Sequence, residues 1–76
     1  MEECEWMYEF ANTLNDYMEE RDISQRELAK RAGVSESTVS DLIRGQRMPS
    51  IKSVVNISNV LGISTDDLVN FNEKIR

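Results

Sequence analysis

Hydrophobic residues recur at every third or fourth position through the first twenty-two residues of the chain. These positions are Trp6, Phe10, Leu14 and then Tyr17 or Met18. Since an α-helix has about 3.6 residues per turn, residues with this spacing lie on one side of a helix and leave the other side polar. The pattern predicts an amphipathic first helix over about residues 5–21, with one face directed at a core.

A short motif typical of helix starts occurs three times: an apolar residue, a serine, three further residues and a second apolar residue. It reads ISQREL at 23–28, VSESTV at 34–39 and ISTDDL at 63–68. A serine hydroxyl accepts a hydrogen bond from a backbone N–H of the first helical turn, and the two apolar residues pack together across that turn. The repeats therefore predict helices that start after Ser24, Ser35 and Ser64.

Glycine and proline mark the remaining boundaries. Gly33 and Gly62 are expected to end helices two and four, and Ser50, after Pro49, is expected to cap helix four. The apolar residues of helix four, at 54, 57 and 61, keep the helical spacing, and no segment sustains the period-two alternation of a strand. We predict an all-α fold of five helices, with helix three from about Glu36 to Arg44 and its inner face formed by residues 39, 42 and 43.

The composition narrows the class of protein. A length of 76 residues indicates one domain, residues 1–76, and 39% hydrophobic with 30% charged residues is typical of a folded chain. The single cysteine, Cys4, excludes an internal disulfide, and the lack of histidine argues against a metal or catalytic site. We expect no cofactor and no enzymatic activity. The acidic N-terminus and the lack of an apolar run of about 18 residues favour the cytoplasm over a membrane or secretion.

Charge is unevenly distributed along this acidic chain. Residues 1–20 hold seven acids and no base, whereas residues 21–52 hold seven bases and four acids. Screening limits the reach of each charge to about 10 Å at ordinary salt. The basic middle segment can therefore bind phosphates despite the net charge of −5.

Helices two and three are predicted to be joined by a turn of about three residues that contains Gly33. This is the spacing of a helix-turn-helix unit, here residues 24–44. We expect Ala29 and Gly33 to be small so that the two helices can approach. Residues 23–68 also contain Ser-Gln, Leu-Ala, Gly-Val-Ser, a Gly-x-x-x-Pro exit and Leu-Gly-Ile-Ser in that order. The segment resembles the lambda-repressor-like, or Cro/repressor-type (XRE family), helix-turn-helix proteins.

The resemblance implies a transcriptional regulator, a repressor, that binds palindromic double-stranded DNA as a homodimer with helix three in the major groove. It implies that base edges are contacted by Glu36, Ser37, Thr38 and Asp41. It implies that phosphates are contacted by Gln25, Ser40, Arg44, Arg47 and Lys52. Lys30 and Arg31 are instead compatible with a solvated face. Relatives often have Gln, Asn or Arg at the base-facing positions, two of which are acidic here.

Several roles stay open at this point. Ser35 is favoured as a cap, and Ser37 and Thr38 are favoured as groove-facing because a cap needs only one hydroxyl. Glu36 has two possible roles, contact with a base or a favourable charge at the N-terminus of helix three. Asp41 has no such second reading, and we expect it to accept from the amino group of a cytosine.

The alternative function is an antitoxin or accessory module with weak DNA binding, whose acidic first helix binds a basic protein partner. Convergence of Gln25, Arg44 and Arg47 with Ser37 and Thr38 on one open face would favour DNA. A face closed by helix one would favour the partner. For the homodimer, we expect Leu68, Val69 and Phe71 of helix five to form a two-fold interface.

Overall fold

The computed structural model describes the backbone of residues 3–69 and the side chains of residues 5–69. The helices are α1 (Glu3–Arg21), α2 (Gln25–Ala32), α3 (Glu36–Ile43), α4 (Ile51–Leu61) and α5 (Thr65–Val69). No strand occurs in this part of the chain. The prediction of five helices and an all-α fold is confirmed, with the last turn of α3 ending one residue earlier than expected, at Ile43.

Four serines start the four helices that follow α1. Each hydroxyl accepts a hydrogen bond of 3.1 Å from the backbone N–H three residues further on. The four are Ser24, Ser35, Ser50 and Ser64. In the three repeated motifs the second apolar residue, at 28, 39 or 68, is completely buried, and the first packs against the core. The repeated motif therefore starts each helix and also fixes it to the core.

The turn between α2 and α3 depends on the backbone of Gly33. Its φ is 72°, in the left-handed region, and its N–H donates to the carbonyl of Ala29. A Cβ added at Gly33 would meet no atom within 4 Å. The expectation that Gly33 is small so that the helices can approach is therefore wrong. The residue is explained by its backbone conformation, which side chains other than hydrogen disfavour.

All five helices contribute to one hydrophobic core. Its buried members are Phe10, Leu14, Met18, Leu28, Ala29, Ala32, Val39, Leu42, Ile57, Leu61 and Leu68. Phe10 also stacks on the half-buried Trp6, with ring centroids 5.4 Å apart. The apolar stripe predicted for α1 is confirmed. No buried side-chain nitrogen or oxygen within residues 5–69 lacks a hydrogen-bond partner.

The long helix α1 packs on α3, α4 and α5, and α2 packs on α3 and α4. Arg21, at the end of α1, fixes this arrangement, since its Nε donates to the carbonyl of Leu61 at 2.6 Å and its guanidinium lies over the ring of Tyr17. Arg21 is one of the seven bases of the basic segment, and its guanidinium is engaged within the fold. The inner side of α3 is covered by this packing.

Leu68 of α5 is completely buried in the core. The expectation that Leu68 forms part of a two-fold interface is therefore wrong, because the side chain is already covered by the chain's own helices. Phe71, named in the same expectation, lies outside the described residues. Val69 is half-buried and remains partly accessible.

None of the helices in the described part of the chain combines the length and apolar character needed to cross a bilayer. Within residues 5–69, histidine, cysteine, aspartate and glutamate side chains form no group of three that could hold a metal ion.

Candidate nucleic-acid interface

Helix α3 has one covered and one open side. Val39 and Leu42 are buried in the core. Residues 37, 40, 41 and 44 follow one another at three- and four-residue steps and lie on the opposite side of the helix. Ser37 and Arg44 are exposed, and Ser40 and Asp41 are half-buried. The open side offers short hydroxyls near its N-terminus and charged side chains near its C-terminus.

A cluster of hydroxyl groups forms the N-terminal end of this side. The Oγ of Ser35 lies 2.8 Å from Oγ1 of Thr38 and 3.1 Å from Oγ of Ser37, and it accepts from the N–H of Thr38. Ser35 is thus a helix cap, as predicted. The other two hydroxyls lie within hydrogen-bond distance of the capping hydroxyl. Glu36 is exposed in the same first turn.

Ion pairs join three side chains at the C-terminal end of α3. Nη2 of Arg44 lies 3.1 Å from Oδ1 of Asp41, and Nη2 of Arg47 lies 3.4 Å from Oδ2 of the same carboxylate. From the sequence alone, Asp41 has no expected role other than base contact. The structure supplies one, because the carboxylate pairs with two arginines that were assigned to phosphates.

A tight turn after α3 makes the second of these ion pairs possible. Gly45 has a φ of 70°, and the N–H of Gln46 donates to the carbonyl of Asp41 at 2.9 Å. The chain therefore turns back, and Arg47 reaches Asp41 although it lies six positions further along the chain. A Cβ at Gly45 would lie 2.7 Å from Cδ1 of Tyr8, so α1 packs directly against the turn. Only glycine meets both conditions.

Gln25 is the first residue of α2 and its side chain is exposed. It lines a shallow groove between α1, α2 and α3 together with Ile43 of α3 and with carboxylate side chains. These carboxylates are Glu19, Asp22 and Glu27. Gln25 therefore lies next to α3. The groove around it contains more carboxylate side chains than its position in the sequence indicates.

Lys52 lies on another element, in the first turn of α4, and is exposed. Ion pairs bring Arg44 and Arg47 together through Asp41, and hydrogen bonds bring Ser37 and Thr38 together through Ser35. No hydrogen bond or ion pair described in residues 5–69 joins Lys52 or Gln25 to either group. The predicted site residues thus form two linked clusters and two separate positions.

Tyr8 and Gly45 were missed as residues that shape the site. The pairing of Asp41 with Arg44 has a sequence signal, since opposite charges three residues apart meet on a helix. The pairing with Arg47 has none, because it depends on the turn at Gly45. The contact of Tyr8 joins positions 37 residues apart and could not be read from local spacing.

Comparison with known proteins identifies residues 14–68 with the HTH_3 family, described as helix-turn-helix. The uncharacterized HTH-type transcriptional regulator YqaE of Bacillus subtilis is 29% identical over 68 residues, which cover 87% of this chain. An uncharacterized HTH-type transcriptional regulator of Methanocaldococcus jannaschii is 32% identical over 57 residues, covering 75% of this chain and 86% of the relative. The match spans 59% of the length of the Bacillus protein.

Two solved structures are similar throughout most of the chain. The restriction-modification controller protein C.AhdI from Aeromonas hydrophila has a TM-score of 0.79 at 27% identity and covers 82% of this chain and 94% of its own. The SinR protein/SinI protein complex has a TM-score of 0.80 at 29% identity and covers 88% of this chain and 66% of its own. The resemblance inferred from the sequence motifs is confirmed by these matches.

Proposed function

Since the chain belongs to the HTH_3 helix-turn-helix family, we propose that α3 enters the major groove of double-stranded DNA and that two copies bind one palindromic site. Regulators of this family bind DNA and are not enzymes. We also propose that the protein represses transcription and that it acts in the cytoplasm.

The open side of α3 is the observation that carries the proposal. Its inner residues are buried among the other helices, and α1 packs against the inner side and the following turn. Ser37, Arg44 and Arg47 remain exposed. A helix whose inner side is packed on the core and whose outer side is exposed can enter a groove about 12 Å wide.

The hydroxyl cluster supports a role in base contact for the N-terminal half of α3. Ser37 and Thr38 are short, so they require a close approach to the base edges, and their hydroxyls are already positioned by Ser35. Glu36 completes the proposed base-facing set. Glu36 is exposed and lies in the first turn, whereas Asp41 reaches a base only if its carboxylate leaves or shares its two arginines.

Phosphate contacts are proposed for residues of α2, of α3, of the turn after α3 and of α4. They are Gln25, Ser40, Arg44, Arg47 and Lys52. The two arginines have the strongest support, because they are exposed at the C-terminal end of α3 and both pair with Asp41. Guanidinium groups bind phosphate with several parallel N–H donors.

An exposed apolar surface supports a homodimer. It is formed around a groove lined by Trp6, Pro49, Ile51, Val54, Val55, Thr65 and Val69. The side chain of Ile51 is 85% exposed and that of Val55 is 40% exposed. A two-fold axis beside this groove would cover the same residues in both copies. The half-sites are then expected about 34 Å apart, one turn of DNA.

Selection of duplexes from a random pool at two salt concentrations tests the DNA proposal. We expect a palindromic site whose affinity falls with salt, as phosphate contacts require. Failure to enrich any duplex at either salt concentration would contradict the proposal.

Sedimentation of the wild-type protein and of Ile51→Glu tests the homodimer. The substitution places a charge in the apolar surface, so we expect a dimer for the wild type and a monomer for the variant. Asp66→Glu, at an exposed position on α5, is the control and should leave the dimer intact. A monomeric wild-type protein, both alone and on DNA, would contradict the assignment.

The exposed carboxylates of α1 support a second function, binding of a basic protein partner. Glu5, Asp16, Glu19 and Glu20 are exposed, and residues 1–20 contain no base. This function is favoured over DNA binding if no duplex is enriched and the protein binds a basic polypeptide such as polylysine in a salt-dependent way. That binding should be lost when these four residues are changed to glutamine.

A further inference from the structure

Asp41 differs from the other acids of the basic segment because each of its oxygens faces a different arginine. Oδ1 pairs with Arg44 and Oδ2 with Arg47. The carboxylate is 28% exposed, whereas the two arginine side chains are 58% and 52% exposed. The anion is therefore the most covered member of the cluster, and the two cations are its more exposed members.

This arrangement leaves the arginines able to bind a second anion. A guanidinium has five N–H donors in a fixed plane, and the contact with Asp41 uses Nη2 of each arginine. The donors on Nε and Nη1 remain for a phosphate oxygen in front of the cluster. Asp41 thus restricts the orientation of both arginines without using up their capacity to donate.

The same carboxylate also halves the net charge of the cluster. Arg44 and Arg47 carry two positive charges and Asp41 one negative charge, which leaves a net charge of one. Nonspecific attraction to duplex DNA depends on the charges that reach phosphates. Specificity depends on the difference in binding affinity between correct and incorrect sites. A residue that lowers the general attraction and fixes the geometry of the arginines raises that difference.

We propose that Asp41 is a specificity-determining positioning residue that acts through Arg44 and Arg47 and not through a base. The proposal rests on the proposed function, in which the open side of α3 binds duplex DNA. It replaces direct acceptance from a cytosine, since both oxygens of the carboxylate already face guanidinium groups.

Asp41→Asn is the first test, because it removes the charge and keeps the shape. We expect affinity for random duplex to rise about fivefold, the worth of one unit charge a few ångströms away in water. Affinity for the selected site should rise less, since the arginines lose their common anchor, so the ratio of specific to random affinity falls. Asp66→Asn makes the same change in net charge at an exposed position on α5 and should leave the ratio unchanged. An unchanged ratio in Asp41→Asn would overturn the proposal.

A double-mutant cycle separates action through the arginines from direct base reading. When Arg44 and Arg47 are both changed to glutamine, Asp41→Asn should alter the affinity ratio by no more than about twofold. Loss of preference at a single base pair, equal with and without the arginines, would show direct reading and overturn the proposal.

The DNA-free protein gives an independent measurement. We expect the Nε–H groups of Arg44 and Arg47 to be ordered in nuclear relaxation experiments on the wild type, and more mobile in Asp41→Asn but not in Asp66→Asn. Equal mobility in all three proteins would overturn the positioning role. This measurement stands even if no duplex is selected, so failure of the DNA proposal is distinguished from failure of the role of Asp41. Thermal melting of each variant confirms that it is folded.

Discussion

The two ends of α3 use different chemistry. At the N-terminal end, short uncharged side chains are fixed by hydrogen bonds among Ser35, Ser37 and Thr38. At the C-terminal end, two long cations are held by Asp41 and supported by the turn at Gly45. Short, fixed hydroxyls suit contacts that depend on position, and exposed guanidinium groups suit attraction to phosphates of any sequence. We therefore expect base preference to be set mainly at the N-terminal end and salt dependence to arise mainly at the C-terminal end.

The largest expected effect comes from removing the cations. Replacing Arg44, Arg47 and Lys52 together by alanine should weaken binding to random duplex, and should weaken binding to the selected site somewhat more, because Asp41 positions the two arginines for that site. The slope of log affinity against log salt should flatten by about one unit for each contact, about three in all. Lys30→Ala, on the exposed side of α2, is the control and should leave the slope unchanged. An unchanged slope in the triple variant would remove these residues from the phosphate contacts.

Gly45→Ala should cause the next largest effect, measured as loss of free energy of unfolding in urea. A left-handed backbone costs a residue with a Cβ about 1–2 kcal/mol, and the close contact with Tyr8 should add about 1–3 kcal/mol of overpacking. Gly33→Ala has nearly the same φ and no such contact, so it should show the backbone cost alone. Equal losses in the two variants would mean that Tyr8 does not support the turn.

Ser35→Ala and Ser37→Ala separate the cap from the hydroxyl beside it. Loss of the cap should lower the free energy of unfolding by about 0.5–2 kcal/mol. Ser37→Ala should change it by less than about 0.5 kcal/mol, since its exposed hydroxyl bonds only another hydroxyl, yet should alter base preference. Equal destabilisation with unaltered base preference would assign both serines to folding alone.

Glu36→Gln should give the smallest effect. A carboxylate in the first turn stabilises a helix by about 0.3–1 kcal/mol, which the substitution removes. Melting measures this loss, and selection of duplexes measures base preference. A changed preference with unchanged stability would show that Glu36 contacts a base and contributes nothing through the helix N-terminus.

The local parts of this structure could be predicted from the sequence. The four capping serines and the turn at Gly33 depend on residues within a few positions, so their motifs are sufficient. The apolar stripe of α1 could be predicted for the same reason. Leu68 was misjudged because its burial depends on how α1 and α4 pack on α5, which no local pattern specifies.

The candidate site was only partly predictable. Its residues follow from the resemblance, but the pairing of Asp41 with Arg47 depends on the turn at Gly45, against which Tyr8 packs. Contacts between distant positions decide what a charged side chain can reach. For that reason the sequence alone predicts a base contact for Asp41, whereas the structure pairs its carboxylate with two arginines.

Methylation interference on the selected site tests the central claim, that α3 lies in the major groove of a palindromic site. Guanine N7 faces the major groove and adenine N3 the minor groove. We predict that methyl groups at N7 block binding in two patches whose centres lie about 34 Å apart. Interference confined to adenine N3, or a single patch at N7, would contradict the claim.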